Sequence, residues 1–295
     1  MDQRVGVTHA DSFQKIINYL RILGYRFVSL GYLNNSIATS RLERVAVVTF
    51  DDGYKDLYEN AFPILKKHNI PFTLFLTTST VESETLLWLH KLYIAMDRLS
   101  PPNRLKIFKQ YGNWGNTDDD ICKMLDRLMD SNDINVSGKM ALTSNVAYEA
   151  GLGKEEERLL AEKLYLTKDE LREMQRNGLS IEVHGHEHLP PANLNRTETE
   201  KEIVNSVSHV SQEFNEKPLF YSLPYGIANQ FMNDVVKDLK LNGITTTEQR
   251  LIKASENNYS LPRICVTSDN MHFYRRLARG YGKAFLEKMH LVETS

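Results

Sequence analysis

The sequence predicts an α/β fold in which short strands and helices alternate around a mainly parallel sheet or barrel. Three observations carry that expectation. Four runs, VAVVTF (45–50), PFTLFL (71–76), LSIEVH (179–184) and PLFYSL (218–223), are short, apolar and rich in β-branched or aromatic residues, as strands are. Stretches with helical spacing and capping signals separate them. The exception is about 80–165, where every periodic stretch is helical. Repeated strand–helix units favour a parallel sheet with functional loops at the C-terminal strand ends.

In chain order, DSFQKIINYLRILGY offers a cap at Asp11 or Ser12, an apolar face of Phe13, Ile16, Ile17, Leu20 and Leu23, and a stop at Gly24. After strand 45–50, residues 56–69 read as a helix with Pro63 marking a kink or a late start. Strand 71–76 leads into the segment at about 80–165, which reads as a helical insertion into a single domain spanning 1–295. Thr167 and Glu170 form a capping box for the next helix, and Gly178 closes it. Strand 179–184 follows. Thr197 and Glu200 then repeat the box ahead of a helix whose face carries Ile203, Val204, Val207, Val210 and Phe214. A helix near 229–241 and a short strand near 243–247 come after strand 218–223.

The 295 residues are 41% hydrophobic and 25% charged, and Lys+Arg 36 against Asp+Glu 38 leaves a net charge of -2. That balance provides no electrostatic footprint for nucleic acid or an anionic membrane, so a neutral substrate is expected. Cys122 and Cys265 sit in apolar contexts and suggest neither a disulfide framework nor a cysteine zinc site. No transmembrane segment or secretory leader is visible. The expectation for the chain as written is cytoplasmic, with cell-envelope association if a leader has been lost.

Three loops carry the chemistry. Asp51-Asp52-Gly53 follows a strand, and two adjacent carboxylates share a site only if the chain turns there, which Gly53 permits. His184, His186 and His188 stand within five residues, with Gly185 and Pro190-Pro191 excluding a helical zincin pattern. His184 and His188 with one aspartate would make a two-histidine, one-carboxylate metal site open to water and substrate. Pro224-Tyr225-Gly226 ends the strand at 218–223 and could wall a cleft. Taken singly, the Asp pair also fits a solvated turn and the histidines a surface cluster; together, at strand ends, they favour a metal site. His68, His90 and His209 read as helix-surface residues without function. Trp88 and Trp114 are candidates to stack on sugar, although Trp88, among Leu86, Leu87 and Leu89, suits a core better.

At these residues the sequence resembles the polysaccharide deacetylase family, the NodB-homology domain of carbohydrate esterase family 4. TFDDG (49–53) matches its first motif and HGHEH (184–188) its second; LPYG (223–226) and LPRI (261–264) resemble later ones. The resemblance implies an irregular parallel (β/α) barrel, with Asp52, His184 and His188 holding one divalent metal ion, usually zinc; cobalt, nickel or iron would fit the same ligands. It implies Asp51 as general base, and Pro224 and the Tyr225 backbone amide at the oxyanion. The implied reaction is hydrolysis of an acetyl group, N-linked before O-linked, on a sugar or glycan. Ser222 stands where many members have the arginine that orients the base, and Arg263 is expected to replace it. The family's Leu-x-His motif, source of the general acid, has no match here: His272 and His290 lie in other contexts, and His186 would serve only if its loop bent unusually. Two other functions are a carbohydrate-binding scaffold with a degenerate site and a deformylase or deacetylase of a lipid-linked sugar. Related bacterial proteins begin with a further strand ending in Tyr-His; if it is missing, the exposed barrel edge is expected to favour a homodimer.

Overall fold

The computed structural model describes residues 10–39, 44–112, 120–131, 133–253, 256–266 and 273–274. Trp114, His272 and His290 lie outside them. Helix α1 (Ala10–Ile22) buries Ile16, Ile17 and Leu20, and Asp11 and Ser12 sit inside its first turn rather than capping it. A strand not expected from the sequence, β1 (Arg26–Phe27), follows, and then α2 (Leu30–Ala38), whose Ser29 cap accepts from the Tyr32 N–H.

The run 45–50 is two strands rather than one. β2 (Val45–Ala46) pairs with β1, whereas β3 (Val48–Asp52) starts a second sheet and runs through both aspartates. The expected helix at 56–69 opens as a π-turn over Leu57–Ala61 and becomes α-helical as α3 (Phe62–Lys67), with Pro63 in its first turn, where a missing N–H costs nothing. β4 (Phe72–Leu76) is buried at every position, the signature of a central strand in a parallel sheet covered on both faces.

Between β4 and the next strand, the described residues hold helices α4 (Trp88–Arg98), α5 (Pro101–Phe108), α6 (Ile121–Asp130), α7 (Val136–Glu149) and α8 (Lys154–Leu164). They share a core of their own, including Leu92, Met96, Phe108, Leu128, Leu142 and Val146. Helix α9 (Lys168–Gln175) carries the expected Thr167–Glu170 capping box and leads into β5 (Leu179–Val183). Helix α10 (Arg196–Phe214) is boxed by Asn195 and Glu198, two residues before the expected pair: asparagine is a strong cap, and Thr197 and Glu200 fall inside the helix. β6 (Phe220–Ser222), α11 (Met232–Asp238) and β7 (Gly243–Thr245) complete the order.

Strands β3 to β7 lie side by side in sequence order, all parallel, as a curled half-barrel of the (β/α) type. The sheet opens between β5 and β6, which pair only at Val183 and Tyr221. Two glutamates fill the gap. Glu182 Oε2 accepts the Leu219 and Phe220 N–H groups, 2.6 and 2.7 Å, and Glu216 Oε2 accepts the Ile181 N–H, 2.7 Å. One sheet face packs on α3, α9, α10 and α11 through residues such as Leu74, Ile181, Val183, Ile203 and Val236. Among the described residues no helix is long and apolar enough to cross a membrane.

Candidate active site

Strand register brings the loops together. Asp52 pairs with Leu76, and Leu76 with Val183, so Asp52 and His184 stand at the same end of the sheet, two strand spacings of about 4.8 Å apart. Their side chains close that span. Adjacent strand residues ordinarily face opposite ways, but Asp52 lies in the left-handed region at φ 71, and the Gly53 N–H turns back to the Asp51 carbonyl at 2.9 Å. This three-residue turn lets both carboxylates face the site. Gly53 itself is at φ 107, and a Cβ there would meet Leu76 Cδ1 at 2.8 Å, so glycine is required twice over.

The His184 Nε2 and His188 Nε2 atoms lie 3.5 and 3.2 Å from Asp52 Oδ1. Donors held at about 2.1 Å around a tetrahedral ion stand roughly 3.4 Å apart, so this spacing suits a metal. All three donor atoms fall within 4.8 Å of one another. Tautomer and charge also suit one. The His184 Nδ1 meets the Ser222 carbonyl at 2.9 Å; a carbonyl only accepts, so Nδ1 carries the proton and Nε2 presents a lone pair. Burial, against the opposing pull of Asp52, pushes the His188 imidazole down to about 4, so it is neutral at pH 7. Its buried Nε2 makes no hydrogen bond, an orphaned atom whose position a cation would explain.

Arg263 grips Asp51 with both arms, Nη1 to Oδ1 at 2.6 Å and Nη2 to Oδ2 at 2.8 Å, and Nη2 also donates to Ser222 Oγ at 2.9 Å. The guanidinium lies over the Phe75 ring, 5.2 Å from its centroid. Desolvation pushes the Asp51 carboxyl up, but Arg263, with His184 and His188 behind it, outweighs that and holds it below the usual range. Asp51 Oδ2 is 4.0 Å from His184 Nε2. Tyr225, at φ 58, follows Pro224, and its ring lies 4.4 Å from that of His188. All seven residues expected from the sequence thus meet at one end of the sheet. His186 does not join them: its Nδ1 pairs with Thr78 Oγ1 at 2.8 Å.

Several neighbours went unread in the sequence. Glu202 Oε2, buried on α10, accepts the His186 and Glu187 N–H groups and braces the histidine loop. His90 is half-buried rather than on the surface, with ring nitrogens 2.7 Å from the Tyr54 hydroxyl and 2.8 Å from that of Tyr165. Trp88 is 6% exposed, a core residue rather than a sugar platform, and its Nε1–H donates to the His188 carbonyl at 3.1 Å. A polar pair at Trp88 and His90 within an apolar helix start was the available signal.

At one end of the half-barrel sheet there thus stand an Asp-His-His cluster able to hold a metal ion and a second aspartate clamped by an arginine. The family model for polysaccharide deacetylase matches residues 39–244, and the chain belongs to that family. Among curated relatives, a poly-beta-1,6-N-acetyl-D-glucosamine N-deacetylase of Staphylococcus epidermidis is 23% identical over 87% of this chain and 67% of its own. One from Staphylococcus aureus is 22% identical over 77% of this chain, and the match covers 56% of that relative's length. In fold the chain is similar to the Streptococcus pyogenes deacetylase PplD (TM-score 0.61, 17% identity, 92% of this chain and 88% of that one). It is also similar to IcaB from Ammonifex degensii (0.57, 16%, 88% and 85%).

Proposed function

We propose that the chain is a metal-dependent N-deacetylase acting on a glycan of N-acetylglucosamine type. The observation that carries this is the Asp52–His184–His188 cluster, with the orphaned His188 Nε2, beside an aspartate that Arg263 keeps ionised. A divalent cation there, zinc first by its nitrogen and oxygen donors, would polarise the acetyl carbonyl and acidify a water. Asp51 then takes the proton of the attacking water. Its lowered pKa keeps it ready across neutral pH. Arg263 acts through Asp51, as a positioning residue that fixes the carboxylate plane. The Tyr225 backbone N–H, after a proline that has none to give, donates to the oxygen that gains charge. The substrate in the relatives' names, together with a nearly balanced charge of -2, supports the N-acetylglucosamine polymer as substrate class.

The test is metal content and acetate release measured together, wild type beside His184→Ala. About one equivalent of metal and acetate from N-acetylated glucosamine oligomers in wild type, with both lost in the variant, is the expected result. Metal without acetate, but with glycan binding, would make the chain a carbohydrate-binding protein. Formate in place of acetate from a formylated lipid-linked sugar would move the substrate. No metal in either protein would end the hydrolase reading.

A further inference from the structure

His188 is a ligand candidate in an uncomfortable backbone conformation. Its φ is 53, in the left-handed region that a β-carbon disfavours by about 1 kcal/mol or more, and it sits in a loop without regular structure. Something outside the loop must hold it. The His188 carbonyl accepts two hydrogen bonds from elsewhere, the Trp88 Nε1–H at 3.1 Å and the Tyr225 hydroxyl at 3.0 Å. Tyr225 belongs to the sheet's own third loop. Trp88 does not: it opens α4 and packs in the separate core of the helices between β4 and β5.

The same turn of α4 is tied to the other side of the cluster. Two residues on, His90 spans the Tyr54 and Tyr165 hydroxyls, and the Leu87 N–H donates to the Tyr165 oxygen at 2.9 Å. Tyr54 stands directly after the Asp51-Asp52-Gly53 turn. The start of α4 therefore touches both the aspartate turn and the histidine loop. A helical segment that were only outer padding would have no reason to place its buried donors there.

We propose that Trp88 is a positioning residue of the metal centre: its indole N–H fixes the His188 backbone, and through it the Nε2 direction, so that the helices between β4 and β5 set the geometry of the third ligand. This rests on the metal-site reading above. Groups that orient a ligand without touching the ion typically govern its affinity by 10–100-fold. Trp88 and Tyr225 share one carbonyl, so each alone should account for a part and the two together for most of the effect.

The experiment compares cobalt binding in wild type, Trp88→Phe, Tyr225→Phe and the double variant, by titration and by the visible absorption of the bound ion, which reports ligand geometry. Leu92→Val, which thins the same helical core without reaching His188, is the control for packing. The expected result is roughly tenfold weaker cobalt binding with an altered spectrum in Trp88→Phe, a larger loss in the double variant, and wild-type behaviour in Leu92→Val. Should Trp88→Phe fail to fold, the Tyr225→Phe spectrum decides, because it removes the other donor from the same carbonyl. Unchanged affinity and spectrum in Trp88→Phe, or equal losses in Leu92→Val, would overturn the proposal while leaving the metal site standing. A wild type that takes up no cobalt would overturn both.

Discussion

At the end of β3 the Asp51 carboxylate meets two guanidinium N–H groups of Arg263; between β5 and β6 the Glu182 carboxylate meets only the backbone N–H groups of Leu219 and Phe220. Both are desolvated by the same sheet, and they go opposite ways. Asp51 is held below its ordinary range, whereas burial pushes Glu182 up to about 8, its two backbone bonds opposing but not offsetting that. Neutral donors satisfy lone pairs, whereas a charged partner also favours the ionised form, and Asp51 is the less buried of the two, its side chain 32% exposed against 5% for Glu182. One region is thereby equipped to accept a proton. The other is a hydrogen-bonding patch over a gap in the strand ladder.

The comparison is broken most severely at Asp51. Asp51→Asn keeps the shape and one of the two Arg263 hydrogen bonds but removes the basic oxygen, and turnover should fall by about 10³ with metal content unchanged. Full turnover in that variant would remove the base assignment. Arg263→Met, next in size, leaves the half-buried Asp51 without its cation. A fall of about 10² in kcat is expected as the carboxylate loses its orientation. Asp51 then titrates higher, so the acid limb of the pH–rate profile should move upward; an unmoved limb would mean Arg263 does not govern Asp51.

Gly53→Ala tests the turn that aims both aspartates. With φ at 107 and Leu76 Cδ1 2.8 Å from the new Cβ, a loss of about 2 kcal/mol in chemical denaturation is expected. A loss below about 0.5 kcal/mol would show that the turn tolerates a side chain. The smallest functional effect belongs to the other region. Because the folded-state pKa of Glu182 is raised from 4.5 to about 8, native protein retains a proton that the unfolded chain has lost. Wild-type stability should therefore decline as pH rises through that window and level off above it, by up to about 5 kcal/mol. Glu182→Gln should flatten the slope and change kcat less than threefold, roughly the effect of 0.6 kcal/mol. An equal slope in both proteins would refute the assignment.

Much of this was legible in the chain. TFDDG and the spaced histidines pointed to the candidate site because chemistry restricts residue type: few side chains can bind a cation, and glycine alone accepts the backbone at Gly53. Strands β4 and β5 and the Thr167–Glu170 box were equally plain, since hydrophobic period and capping are local. Other features were not local. Splitting 45–50 between two sheets depends on which strands lie alongside, and the Asn195 cap won over Thr197 by position rather than type. His90 looked like a surface histidine because its partners, Tyr54 and Tyr165, are 36 and 75 residues away in sequence.

The sequence by itself determined the parallel α/β architecture and singled out the groups of the proposed site, through periodicity and the scarcity of residues able to do such chemistry. The tertiary structure alone decided how those groups stand. Strand register set Asp52 against His184, Arg263 came from 212 residues away to clamp Asp51, and Trp88 came from 100 residues away to reach the His188 carbonyl. The reason is physical: a side chain's type is written at one position, but its charge state, tautomer and aim depend on neighbours that only folding brings within a few ångströms.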